Sequence, residues 1–246
     1  MKALVTRPVD DAPPVAALLR ARGIEPVAAP MLRIVPEADG AARLGGALIG
    51  VQGVLFTSAN GVRAYTGASR RFELPAFCVG DASAAAARMA GFRTVFSADG
   101  DIGDLAALVG ARLAPHHGAL LHAAGAETAG DLPGDLDRRG FTLRRVILYR
   151  AIAADSFPPG IETALRQSEI AMAVFFSPRA AATFVRLARE AFIGEHCETM
   201  TALALSPNVA AALSGVPWRA TIAAAAPTLA SLAAALDTIL AGAPSA

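Results

Sequence analysis

Lysine is all but missing from this chain: Lys2 is the only one, and every other basic residue is an arginine. Charge is scarce too. Only 17% of residues are Asp, Glu, Lys or Arg, and they nearly cancel to a formal +1, so the strong basic patch that a nucleic acid partner needs is not expected. Cysteine is limited to Cys78 and Cys197, far apart and outside any metal spacing, which argues for a reducing compartment and against a disulfide scaffold. No apolar run approaches the roughly 18 residues that suggest a membrane span. Even the Ala-rich tail is cut by Pro227 and Asp237. Arg7 and Asp10 interrupt the opening strand before a secretory h-region could form. The expectation is a soluble, cytoplasmic globular protein with no membrane or nucleic acid partner.

What is present is apolar. Hydrophobic residues make up 54% of the chain and the mean hydropathy is +0.46, which suits an Ala-rich α/β protein. "KALVTRP" reads as a strand and "DAPPVAALLRARG" as a helix, with Asp10 or Asp11 capping it and Gly23 stopping it. "EPVAAPMLRIVP" follows as one extended run, held out of helix by three prolines. "GVLFTS", "AFCVGD", "RTVFSA", "GALLHAA" and "TLRRVILYRAI" are further strands, with helical patterns between them. The second half repeats the grammar with "MAVFFS", "TALALS" and "ATIAAA". Continuous apolar strands alternating with helices predict parallel sheets covered on both faces.

The chain also repeats itself. "GVLFTSANGVRAY" is echoed by "MAVFFSPRAAATF", and "FCVGDASAAAARMAGFRTVF" by "LALSPNVAAALSGVPWRATI", which sets Gly80 opposite Ser206 and Gly91 opposite Gly215. "GDLAALV" then answers "ASLAAAL". Four elements recurring in order point to two similar doubly wound domains. The second half lacks a counterpart of Lys2 to Pro36, and assigning that N-terminal segment to the C-terminal sheet repairs the count. The expected domains are therefore 1–33 plus 152–246, and an inserted 37–147. The crossings fall near 29–36 and 146–152, and two antiparallel crossings can pair as a ladder that acts as a hinge. A cleft walled by the strands' carboxyl ends is where open α/β sheets bind ligands.

The residues at those strand ends are Thr6 and Arg7, Thr57, Ser58 and Asn60, Gly80 and Ser83, His122 to Gly125, Ser177 and Pro178, and Ser206 and Asn208. Taken singly, each hydroxyl or amide reads as a helix N-cap. Taken together, helix N-termini converging on one cleft would offer N–H donors and partial positive charge to anions. The usual catalytic signatures are missing: no GxGxxG follows the first strand, no GxxxxGK[ST] occurs, and Ser58 and Ser177 lie outside any GxSxG. "DGDIGD" lacks the ligand order of a calcium loop and reads as a turn plus a helix cap. His116 and His117 read as an exposed loop, and Cys78 as a small buried hydrophobe. No metal or cofactor is expected.

These residues together resemble the uroporphyrinogen-III synthase (HemD-like) family. The match runs nearly the length of the chain, through "LVTRP", Pro30, Ile34 and Pro36, "FTSANGV", "VGDASA", Gly91, "GDL", "AGAETAGDL", "LYRA", "FFSP", "LSP" and "PTLASL". The resemblance implies two HemD-like α/β domains joined by a two-stranded ladder. It implies a cyclizing hydro-lyase that takes hydroxymethylbilane, a linear tetrapyrrole with eight carboxylates, to uroporphyrinogen III for heme biosynthesis, without a cofactor. In that reaction the hydroxymethyl oxygen leaves, an azafulvenium cation forms, and attack by the substituted carbon of ring D gives a spiro pyrrolenine that recloses inverted. Water alone lets the cation close through the unsubstituted position, so the protein's task is to fold the chain and restrain ring D.

The family's functionally important tyrosine falls on Tyr149 in "VILYRA", implied as donor to the departing hydroxyl. Carboxylates would be held largely by backbone N–H groups, with Arg7 or Arg63 as charged partners. A monomer in transient contact with the enzyme that makes the unstable substrate is the implied assembly. The chain departs from the family pattern at Val209 and Ser83, where threonine is usual, and "LLHAAGAET" lacks an Arg before its glycine. Two other readings stand beside the enzyme. One is a hinged ligand-binding module of the periplasmic type. The other is a family member without activity, acting as a tetrapyrrole-binding or regulatory partner.

Overall fold

Where small and β-branched residues run without a charge, the backbone extends and is buried on both sides, as Val51–Phe56 and Ala119–Gly125 are almost throughout. The structure, a computed structural model, describes residues 1–127 and 130–241, so the centre of the "AGAETAGDL" run lies outside the described residues. The chain opens with β1 (Lys2–Val5), α1 (Pro13–Arg20), β2 (Glu25–Ala28) and β3 (Leu32–Pro36). It continues through α2 (Gly40–Ala47), β4 (Val51–Phe56), α3 (Ala59–Ala68), β5 (Ala76–Cys78) and α4 (Asp81–Ala90). Next come β6 (Val95–Ser97), α5 (Ile102–Arg112), β7 (Ala119–Gly125), α6 (Leu132–Asp137) and β8 (Leu143–Ala153). The remainder is α7 (Ile161–Arg166), β9 (Ile170–Phe175), α8 (Pro178–Glu190), β10 (Thr201–Ala204), α9 (Pro207–Ala211), β11 (Ala220–Ala223) and α10 (Leu229–Ala241).

The fold is α/β, with two units whose sheets are built from parallel strands except at β3. Residues 1–33 with 152–246 form unit 1, and 34–151 form unit 2. The strand order of unit 1 is β11-β10-β9-β1-β2, and that of unit 2 is β3-β8-β7-β4-β5-β6. The central pattern is the same in both. β4, β5 and β6 follow one another outwards as β9, β10 and β11 do, and β7 with β8 takes the places of β1 with β2. The N-terminal strand–helix–strand is thus the missing part of the C-terminal sheet. β3 lies beside β8 and runs against it: the N–H of Glu37 meets the Leu148 carbonyl at 2.9 Å, and the N–H of Ala154 meets the Met31 carbonyl at 2.9 Å. These two strands carry the chain between units as a two-stranded ladder.

Alternate residues of each strand feed cores on opposite faces. In unit 2, Val54, Phe56, Cys78, Leu121 and Ala123 pack on one face with Phe92 and Tyr65, while Leu55, Phe77 and Leu120 pack on the other with Leu105 and Leu136. In unit 1, Leu4, Phe175, Ala202 and Phe184 share one core, and Ala3, Val5, Val174 and Leu203 share the other. Each fully buried Phe or Leu of these cores contributes about 2–3 kcal/mol from lost apolar exposure. Among the described residues no helix is long and apolar enough to cross a membrane.

Several local expectations need correction. Asp10 and Asp11 do not cap α1; they sit in a short 3-10 turn, and the helix begins at Pro13 behind Ala12 with no side-chain cap. Two prolines at its start omit N–H groups that would otherwise need partners, so the aspartates are not required there. "EPVAAPMLRIVP" is two strands in two sheets, because Met31 turns into the core beside Ala29. α2 and α7 were not legible: both are short and glycine- or turn-flanked, with few apolar repeats to announce them. Gly91 takes the left-handed φ of +101° that ends α4, whereas Gly215 is outside that region and instead makes room for Val185.

A polar cavity at the strand ends of unit 2

Thr57 and Ser58 end β4 where the chain must turn into α3. Ser58 is extended, and its Oγ accepts the N–H of Gly61 at 3.1 Å, the ordinary serine cap of a first helical turn. Gly61 lets that turn lie against β7, because a Cβ there would stand 2.7 Å from the Ala123 carbonyl oxygen. The close approach brings α3's start to the end of β7 and, one strand further, to β8. The Tyr149 hydroxyl then lies 2.8 Å from Ser58 Oγ, and His122 Nε2 lies 3.2 Å from Thr57 Oγ1.

Thr57, Ser58, His122 and Tyr149 line one cavity of about 550 Å³, together with Arg145, Glu127, Asp101, Asp131 and apolar Val79, Ile102 and Leu132. Asp101 and Asp131 are engaged as helix caps: Asp101 accepts from Gly103 and Asp104, and Asp131 accepts from Gly134. The capping reading of "DGDIGD" therefore holds, including a reciprocal bond from the Asp101 N–H to Asp104. Arg145 faces His122 across the β7–β8 pair, and its Nη2 donates to the carbonyls of Gly125 at 2.7 Å and Ala126 at 3.0 Å.

His122 is only 3% exposed, so its neighbours decide its charge. Burial, with a smaller push from the Arg145 guanidinium, lowers its pKa to about 4, and the ring is neutral at neutral pH. Its Nδ1 is buried without a hydrogen-bond partner among the described residues. An orphaned lone pair is more readily tolerated than an orphaned N–H, which favours the proton on Nε2. Nε2–H then donates to Thr57 Oγ1 and leaves the Thr57 proton available to the cavity. Burial likewise raises the thiols of Cys78 and Cys197 to about 12, so both are inert core residues. His116 and His117 are exposed in a short turn, as expected.

The other sequence candidates lie elsewhere. In unit 2, Arg63 Nη2 donates to Asn60 Oδ1 at 2.7 Å in α3's first turns, and neither lines the cavity. Gly80 precedes α4 with open space where a Cβ would be, and Ser83 is buried in that helix's first turn. Gly125 ends β7 against the Tyr149 ring. In unit 1, Thr6 is fully buried and its hydroxyl donates to the Val174 carbonyl at 2.7 Å. Arg7 lies 4.7 Å over the Phe176 ring. Ser177 caps Ala180 at 3.2 Å with Pro178 opening α8, and Ser206 caps Val209 at 3.4 Å with Asn208 exposed beside it.

Arg145 is the residue the sequence reading missed. It stands four positions before Tyr149 in "TLRRVILYRA", and both line the cavity. Among the described residues no cluster of His, Cys, Asp and Glu could hold a metal ion. Among the described residues the cavity offers the hydroxyls of Thr57, Ser58 and Tyr149 beside a neutral imidazole.

Comparison with known proteins returns one family. The sequence model described as uroporphyrinogen-III synthase HemD matches residues 14–234. No curated protein matches the sequence. Among solved structures, a uroporphyrinogen-III synthetase from Helicobacter pylori superposes with a TM-score of 0.64 at 14% identity, covering 98% of both chains. A mutant uroporphyrinogen III synthase from the extremely thermophilic bacterium Thermus thermophilus superposes with a TM-score of 0.53 at 19% identity, again covering 98% of both. At such identities the superpositions speak for the fold.

Proposed function

The chain belongs to the uroporphyrinogen-III synthase family, and we propose that Tyr149 assists departure of the hydroxymethyl oxygen while the surrounding strand ends hold the substrate. The observation that carries this reading is the phenol 2.8 Å from Ser58 Oγ in a cavity whose histidine is neutral. The reaction is the conversion of hydroxymethylbilane to uroporphyrinogen III, a step of heme biosynthesis, and its class is a cyclizing lyase. The C–O bond breaks and the oxygen leaves as water with one proton. The substituted carbon of ring D attacks the azafulvenium carbon to give the spiro pyrrolenine. The older bond from that ring D carbon to the ring C methylene breaks, and that methylene bonds to the free position of ring D. The proton lost there as the pyrrole regains aromaticity balances the one taken up. Because Ser58 Oγ already accepts the Gly61 N–H, its own proton can point to the Tyr149 oxygen. The phenol O–H is then directed to the departing hydroxyl.

Thr57, oriented by His122, and the N–H groups at the starts of α3 and α4 supply donors for the substrate's carboxylates. The two buried thiols fit a reducing cytoplasm, and the reading carries with it a monomer in transient contact with the enzyme that makes its substrate. The reaction exchanges no electrons, and the reading includes no cofactor.

The test is turnover of freshly prepared hydroxymethylbilane with isomer analysis. Isomer III is expected at a rate above spontaneous closure, and isomer I alone at the spontaneous rate would overturn the reading. Tyr149→Phe keeps the ring and should leave the melting temperature nearly unchanged. Its barrier should rise by about 2–3 kcal/mol, the scale of losing one preorganised donor. The residual enzymatic product should remain mostly isomer III, with escaped cation closing to isomer I. A Phe variant with the native rate would return Tyr149 to a packing role.

A further inference from the structure

Gly125 stands at the end of β7, buried, in a backbone conformation outside the left-handed region that glycine is normally chosen for. Any residue could adopt that backbone, so the reason for a glycine must lie in what surrounds it. A Cβ at this position would come 2.8 Å from Tyr149 Cζ, 3.0 Å from Cε2 and 3.0 Å from the phenol oxygen. The ring occupies the space that every other side chain would need.

The pairing of β7 with β8 brings the ring there. Ala124 is opposite Ile147, but Gly125 is opposite Tyr149, so the register steps over Leu148. Such a bulge re-aims the following side chain. Leu148 stays in the core, 3% exposed, and Tyr149 is turned over the end of the neighbouring strand. The backbone around Gly125 is pinned from both sides, by Arg145 Nη2 on the carbonyls of Gly125 and Ala126 and by the Ala126 N–H on the Tyr149 carbonyl at 2.9 Å.

We propose that Gly125 is a positioning residue for Tyr149: its missing side chain is the seat of the phenol ring and sets the hydroxyl within reach of Ser58. A methyl group at 125 cannot be relieved by the pinned backbone. It is relieved by rotation of the ring, which takes the hydroxyl off Ser58 Oγ. This assignment rests on the reading of Tyr149 given above for its effect on turnover, while the geometry itself can be tested without turnover.

The experiment compares Gly125→Ala, Tyr149→Phe and the double variant, each labelled with ring-¹³C tyrosine. The chain has only two tyrosines, Tyr65 and Tyr149, so loss of a signal in Tyr149→Phe assigns both. In Gly125→Ala the Tyr149 signal should shift, the Tyr65 signal should stay, and turnover should fall at least about tenfold. The double variant should be no slower than Tyr149→Phe alone, because both changes remove the same donor. An unmoved Tyr149 signal, or losses that multiply in the double variant, would overturn the assignment. If Tyr149→Phe keeps the native rate while Gly125→Ala still moves the signal, the role of the phenol fails and its seat stands. Should Gly125→Ala fold poorly, Gly125→Ala combined with Tyr149→Ala, which removes the ring, should recover the melting temperature. Failure to recover would show that the clash lies elsewhere.

Discussion

The two units are the same sheet written with different chemistry at its strand ends. Ser58 of unit 2 and Ser177 of unit 1 occupy equivalent places, and each caps the helix that follows. One residue earlier, Thr57 has Phe176 as its counterpart. Across the sheet, Leu55 is paired with His122 while the equivalent Val174 is paired with Val5. One strand further, His122 faces Arg145 while Val5 faces Ala28. A threonine, a histidine and an arginine in unit 2 thus stand where unit 1 has a phenylalanine, a valine and an alanine. The shared parts are those that any strand-to-helix turn needs. The differing parts line a polar cavity in unit 2, where unit 1 has three apolar residues at the matching positions.

The comparison is broken most directly by giving unit 2 the residues of unit 1. Thr57→Phe with His122→Val should fold, since both pairs are compatible with the same backbone, yet turnover should fall at least about hundredfold as the cavity fills, which is about 2.7 kcal/mol of barrier. Near-native turnover in this double variant would mean that the cavity is not where the reaction occurs.

Acid sharpens the comparison next. His122 has a folded pKa of about 4, below its ordinary value of 6.5, so between these values the unfolded chain binds a proton that the folded unit refuses. Stability is therefore fully present above pH 6.5 and is lost as pH falls towards 4, by about 3 kcal/mol. Hydrogen exchange followed from pH 7 to 4 should show this loss in the β4 and β7 amides of unit 2, and His122→Val should remove it. Equal loss in β9 and β1 would show that other groups dominate the acid response.

The smallest expected difference is between the two serines. Ser58→Ala and Ser177→Ala each remove one helix cap and should each cost about 1 kcal/mol of stability. Ser58 also meets Tyr149, so its loss should slow turnover several-fold but less than about tenfold, because backbone donors share the load. Ser177→Ala should do less still. A larger kinetic loss at Ser177, measured in variants of equal melting temperature, would reverse the ranking of the units.

Much of this was legible in advance because strand burial and helix capping are written in local residue choices. The apolar runs of β4, β7 and β9, the Ser caps and the Asp101 cap could each be read from a few neighbouring residues. Counting repeats was enough to place the opening strand in the far sheet. α2 and α7, with a single turn's worth of apolar pattern each, could not be separated from loop. Among site residues, Ser58 and Tyr149 were each found singly, but their pairing spans 91 positions and no local pattern encodes it. Arg145 went unseen because an arginine in a strand looks like a solvated edge until its neighbour across the sheet is known.

By itself, then, the sequence determined the alternation of strand and helix, the twofold repetition and the family motifs. Those follow from which side chains can be buried and which backbone groups need a cap, and both are decided within a few residues. Only the tertiary structure decided that His122 is neutral, that Tyr149 reaches Ser58 and that a glycine at 125 leaves the ring its place. Each depends on the register between strands distant in the chain, where a single-residue bulge at Leu148 re-aims one side chain and an enclosing sheet strips one imidazole of water.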